Sequence, residues 1–149
     1  MRMNRAWIEA RIPHQGRMCL LGEVIEWDPQ RIRCRTDTHR APDNPLRSHE
    51  RLGIACGIEY AAQAMALHGA LAGADAGRPA RVGLLASVRD VRLHVLRLDD
   101  IESDLICEVT HLAGDSLTAL YEFALRDKDR ALLTGRASVV LDAGGRLHL

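Results

Sequence analysis

Glu59 is the only charged residue in a long apolar run, Leu52 to Ala74, which reads LGIACGIEYAAQAMALHGALAGA. A carboxyl on a buried apolar helix is desolvated, which favours its protonated form and equips it as a general acid. A structural glutamate paired with an arginine is the alternative that the residues leave open. Gln63 follows one turn later on the same helical face, where it could orient Glu59, bind a substrate or satisfy core backbone groups. Two histidines are candidate bases. His14 follows Pro13, which restricts the backbone before it, and precedes Gly16, which permits a close turn after it. Anchoring of the N-terminal segment is its alternative role. The rival is His49, beside Ser48, a candidate helix N-cap, with Glu50 and Arg51 marking a solvated helix start. Gly53 and Gly57 open the apolar run. Amides near a helix start lack intrahelical partners and favour negative charge, so these glycines could hold a substrate oxygen, or they could permit close packing against a sheet. His68 projects to the helix face opposite Glu59 and reads as a satisfied core or interface histidine. His94 and His111 have no acidic or cysteine partner at metal spacing, so no metal is expected.

These groups need elements to hold them. The length and alanine content of the apolar run predict a helix over about residues 50–74, buried because it is apolar nearly all round. Its length would permit a membrane span, but Glu59, Gln63 and His68 argue against one. Before it, Leu20 to Trp27 and Arg31 to His39 predict two strands joined by a turn at Asp28-Pro29. In the second, Ile32, Cys34, Thr36 and Thr38 alternate with Arg31, Arg33, Arg35 and Asp37. After it, four strands are predicted: Val82 to Leu98, Asp104 to Leu112, Leu117 to Arg126 and Leu133 to Leu141. The last three are separated by short polar turns, as in an antiparallel meander. One buried helix among antiparallel strands is α+β architecture.

Composition narrows the class further. The 149 residues fit one domain, 1–149, without repeats or linkers. Lys+Arg and Asp+Glu both number 20, so the net charge is zero and no nucleic-acid footprint is present. Cys19, Cys34, Cys56 and Cys107 show neither zinc nor disulfide spacing, and no signal peptide is evident, which predicts a reduced, cytoplasmic protein.

Three motifs carry a resemblance. Gly57 to Met65 (GIEYAAQAM) resembles the helix motif of the β-hydroxyacyl-acyl-carrier-protein dehydratases, in which a catalytic Glu is followed four residues later by Gln, as Glu59 and Gln63 are here. Ile12 to Leu21 (IPHQGRMCLL) resembles that family's Pro-His segment leading into the first strand, and Gly83 to Val95 its long strand after the helix. The resemblance covers about Ile12 to Leu141. It is strongest to the dehydratase-like branch of aryl-polyene and xanthomonadin-type pigment clusters, which shares the P-H-x-G-x-M opening. One departure stands out: the Gly-His-Phe-Pro loop of the fatty-acid enzymes, fourteen residues before the Glu, is absent, and Pro45 stands there.

The resemblance implies a hot-dog fold, an antiparallel sheet wrapped around one central helix. It implies bacterial dehydration of a β-hydroxyacyl thioester to the trans-2-enoyl product, with the substrate on the phosphopantetheine of an acyl carrier protein and no other cofactor. Glu59 and His14 would be catalytic, with His49 the rival base, and Gln63, Gly53 and Gly57 would bind substrate. Family sites form between two subunits, so a homodimer or a heterodimer with a second hot-dog subunit is implied. A hot-dog thioesterase, a non-catalytic partner subunit and a plain acyl-binding module are the alternatives.

Overall fold

The computed structural model describes residues 2–77 and 82–142. Six strands form one antiparallel sheet: β1 (Glu23–Trp27), β2 (Arg31–Thr36), β3 (Val82–Leu93), β4 (Leu105–Gly114), β5 (Thr118–Asp127) and β6 (Arg130–Asp142). Their order across the sheet is β1-β2-β4-β5-β6-β3. A short helix, α1 (Arg5–Glu9), precedes β1, and the long helix α2 (Gly57–Asp75) lies between β2 and β3. The sheet curls around α2, which is the hot-dog arrangement that the resemblance implies.

The period of two places side chains as expected along the middle strands. Ile32 and Cys34 of β2, Leu105, Cys107 and Val109 of β4, and Tyr121, Phe123 and Leu125 of β5 are buried together. Register aligns these rows across the sheet: Cys34 lies opposite Cys107, which lies opposite Leu125. Removing such rows from water is the main favourable term available to a fold of this kind. The polar rows face outward, where Arg33 bridges Glu26 of β1 at 3.1 Å and Glu108 of β4 at 3.2 Å.

The two sheet edges differ. β1 is short, and its outer side is covered by the N-terminal segment, with Val24 N–H donating to Met3 O at 2.9 Å and Asn4 bridging Glu23. β3 is long and, among the described residues, has no strand on its outer side. Its alternation does not produce a half-buried strand: Val91 and Leu93 are exposed, Leu93 by 53%. Register slips against β6 between Leu85 and Ser87 and between Arg89 and Arg92, with Asp90 at a φ of 55°. These bulges bend the edge.

The helix starts later than the expected 50–74. A 3-10 turn, Ile54–Cys56, precedes α2, and residues 48–53 are not helical. Those residues are committed elsewhere. His49 and Glu50 take positive φ values of 52° and 62° in a turn closed by Ser48 and Arg51. Leu52 is fully buried, its N–H donates to Asp99 Oδ1 at 2.9 Å, and its carbonyl accepts from Leu98 N–H at 2.7 Å. Ser48 is therefore not a helix cap. Gly57 begins α2 where the helix meets the sheet: an added Cβ would lie 2.7 Å from Leu133 Cδ2 and 2.9 Å from Leu125 Cδ2. Both leucines are fully buried.

Polar residues on the buried side of α2 all have partners. Tyr60 Oη lies 2.9 Å from Thr38 Oγ1 and accepts from Asn44 Nδ2 at 3.0 Å. His68 Nε2 donates to the Asp28 carbonyl at 3.0 Å, which fixes the tautomer, so its Nδ1 accepts from the Tyr121 hydroxyl at 2.9 Å. His68 is thus the satisfied core histidine that its helical position predicts.

Two predictions follow from this packing. Burial holds His68 and His39 below the ordinary value of 6.5. As pH falls through about 6.5 the unfolded chain binds protons that the folded chain refuses, so stability drops. Urea unfolding from about pH 7.5 to about pH 5.5 should show this loss, and His68→Gln should flatten the slope. Gly57→Ala overpacks the helix–sheet contact and should lower unfolding free energy by about 1–3 kcal/mol, read from a urea midpoint at unchanged m-value.

Candidate active site

The face of α2 that the sheet leaves uncovered carries Glu59, Ala62, Ala66 and Ala70, spaced three or four residues apart along one strip. This strip forms one wall of a cleft of about 400 Å³, facing Gly83, Leu84 and Leu85 of β3. Arg11, Pro13 and His14 of the N-terminal segment close one end. The alanines are what keep the cleft open, because larger side chains at these positions would fill it.

His14 and Glu59 meet here. His14 Nε2 lies 3.3 Å from Glu59 Oε1, with the side chains 28% and 38% exposed. The expectation that Glu59 is buried is corrected: it stands on the uncovered face, in contact with its partner imidazole. His14 Nδ1 is buried and has no hydrogen-bond partner among the described residues. The ring is therefore not oriented from behind by a carboxylate or carbonyl of those residues, and its position is set by Glu59 in front and by its own backbone.

That backbone is heavily tied. Gly16 takes a φ of 59°, which only glycine adopts readily, and starts a 3-10 turn through Met18. Gln15 Nε2 donates to the carbonyls of Glu9 at 2.5 Å and Ile12 at 3.2 Å. Past the turn, Gln63 of α2 takes hold: its Nε2 donates to Met18 O at 2.6 Å, and its Oε1 accepts from Leu20 N–H at 2.9 Å. The Leu20 carbonyl accepts from Thr36 Oγ1 and, at 2.7 Å, from Thr38 Oγ1. Gln63 is fully buried and does not line the cleft, so of its three expected roles the structure displays the satisfaction of core backbone.

The other candidates lie apart from this pair. His49 is exposed in its turn and does not line the cleft. Neither Gly53 nor Gly57 lines it. The Gly57 amide closes the preceding 3-10 turn onto Ile54 and Ala55 carbonyls, so close packing is the role that Gly57 displays. Sequence reasoning overlooked Arg11, whose guanidinium stacks 3.8 Å above Trp7 while donating to the Trp7 carbonyl at 2.9 Å. The i,i+4 spacing of Trp7 and Arg11 was the available signal.

A second cavity, of about 290 Å³, is lined by His68, His111 and Tyr121 together with Gly69, Ala72 and Gly73 of α2. His68 and Tyr121 there are occupied with each other, and burial pushes the Tyr121 phenol up to about 12. Among the described residues no cluster of His, Cys, Asp or Glu could hold a metal ion, and no helix is long and apolar enough to cross a membrane.

Paired at 3.3 Å, an imidazole and a carboxyl can move one proton from a substrate and one to it, and then exchange protons with each other. Comparisons with known proteins bear on which substrate that is. Residues 6–143 match the family model described as ApeP-like: ApeP dehydratase. No curated protein matches the chain. Among solved structures, the chain resembles one from the dehydratase heterocomplex ApeI:P of Xenorhabdus doucetiae, with a TM-score of 0.82 and 22% identity over 92% of this chain and 91% of that one. It also resembles a mutant thioesterase from Pseudomonas aeruginosa, with a TM-score of 0.65 and 8% identity over 93% and 94% of the two chains. A thioesterase from Haemophilus influenzae gives a TM-score of 0.61 and 8% identity over 85% of this chain and 82% of that one. At these identities the structural likenesses speak for the fold.

Proposed function

This chain belongs to the ApeP-like dehydratase family, and from that premise we propose that it dehydrates a β-hydroxyacyl thioester on acyl carrier protein to the trans-2-enoyl thioester. The setting would be fatty-acid-like or polyene pigment synthesis in the cytoplasm. The observation that carries the reading is the His14–Glu59 pair at 3.3 Å, at the end of a cleft walled by alanines and leucines.

In this reading His14 removes the proton alpha to the thioester carbonyl. The electron pair moves into the new carbon–carbon double bond, and the β-hydroxyl leaves with the proton of Glu59 as water. His14 then returns its proton to Glu59, which restores the starting state. Both proton transfers use groups of the chain, so the chemistry calls on no cofactor besides the phosphopantetheine that bears the substrate. The alanine strip would receive the acyl chain.

The partner follows from β3. Gly83, Leu84 and Leu85 are both cleft wall and sheet edge, and Leu85, Val91 and Leu93 expose apolar surface along that edge. A second hot-dog subunit paired on β3 would cover this surface and close the cleft. The similar Xenorhabdus protein comes from a heterocomplex, which favours a heterodimer over a homodimer. It also favours a second reading, in which this chain is the supporting subunit of such a pair.

Incubation with β-hydroxyacyl-carrier-protein should yield a product lighter by one water, with no free thiol released. Glu59→Gln and His14→Ala should each lower this rate by at least ~100-fold, while His49→Ala should leave it unchanged. Free thiol would identify a thioesterase; an inactive, correctly assembled wild type would identify a supporting subunit. Leu85→Glu combined with Leu93→Glu should shift the assembly to monomer in sedimentation velocity and abolish water loss.

A further inference from the structure

We infer that Gln63 is a positioning residue for His14, holding the base against Glu59 through the chain that follows it; this rests on the acid–base reading of the pair given above. Three observations carry it. The His14 ring has no partner at Nδ1 among the described residues, so nothing described aligns it except Glu59 and its own backbone. That backbone passes through a 3-10 turn into Met18–Leu20, where both polar ends of the Gln63 amide are engaged, at 2.6 and 2.9 Å. Gln63 also lies one turn from Glu59 on α2.

The helix therefore carries one member of the pair and, about 6 Å further along its axis at roughly 1.5 Å per residue, the clamp that locates the other. The Gln63 side chain is fully buried, does not line the cleft, and acts through the segment it holds. Glutamine suits this task because one amide supplies a donor for the Met18 carbonyl and an acceptor for the Leu20 amide.

Two variants separate this role from mere packing. Gln63→Met keeps the volume and loses both bonds. Gln63→Glu keeps the acceptor for Leu20 and gains a donor for Met18 only when its carboxyl is protonated. Gln63→Met should lower kcat for water loss by ~100-fold with KM little changed, as expected for a misplaced base. The rate of Gln63→Glu relative to wild type should rise as pH falls, a rescue that filling the same space would not produce. Wild-type kcat in folded Gln63→Met, or a pH-independent ratio for Gln63→Glu, would overturn the inference while leaving the dehydratase reading intact. Nuclear Overhauser contacts between the His14 ring and the Glu59 side chain read the positioning without substrate. They should be present in the wild type and lost in Gln63→Met, and their survival there would overturn the inference even if the wild type turns over no thioester. Should Gln63→Met fail to fold, the pH-dependent ratio for Gln63→Glu decides.

Discussion

A polar side chain buried on an apolar helix must find a hydrogen-bond partner or cost the fold free energy. In α2 this requirement falls on Tyr60, Gln63 and His68, and each meets it outside the helix. Tyr60 reaches Thr38 and Asn44 in the loop after β2. Gln63 reaches Met18 and Leu20 before β1, and His68 reaches Asp28 between β1 and β2 and Tyr121 of β5. The helix is thereby fastened to three separate connecting segments, and the cleft owes its end wall to one of them. Apolar packing alone would tolerate a range of helix positions; these bonds select one.

Much of this was legible in the residues, because period and motif are local properties. The alternation in β2, β4 and β5 predicts the buried rows, and the identity of α2 follows from its alanines. The start of α2 was not legible: residues 48–53 look helical until Leu52 is seen to bond Asp99 and Leu98, partners more than forty residues away. The exposure of β3 was hidden for a similar reason, since Val91 and Leu93 alternate as an internal strand would, and only the sheet order shows them at an edge. Glu59 was expected to be buried because the surrounding run is apolar. Its neighbours on that face are Ala62, Ala66 and Ala70, too small to cover it, and an open cleft separates them from β3. The choice of His14 over His49 came from a motif, and the geometry that pairs His14 with Glu59 depends on a turn and a clamp that spacing does not reveal.

The likeness of this fold to thioesterases has a chemical counterpart. Hydrolysis and dehydration of a thioester both need a group that handles protons beside an apolar cleft, and the same helix can present it. What distinguishes them is whether a second proton-transfer group stands opposite the carboxyl. In this chain an imidazole lies 3.3 Å from the carboxyl, and under the proposed reading it would be that second group, arriving from the N-terminal segment rather than from the loop before α2, where Pro45 occupies the place of the absent histidine.

The unequal edges of the sheet bear on how copies can assemble. A sheet with two free edges is a repeating unit that can add strands without limit, as in a filament. Here Met3 and Asn4 pair with β1 at Val24 and Glu23, whereas among the described residues no strand pairs with the outer side of β3. On the proposed pairing along β3, association along strands would be used up after one event, and the group would close as a pair. The bulges at Ala86 and Asp90 add a second restriction, because a flat, regular strand from an unrelated chain would not follow the bend. Under that pairing, the edge that could have been a route to aggregation would accept only a partner of matching curvature.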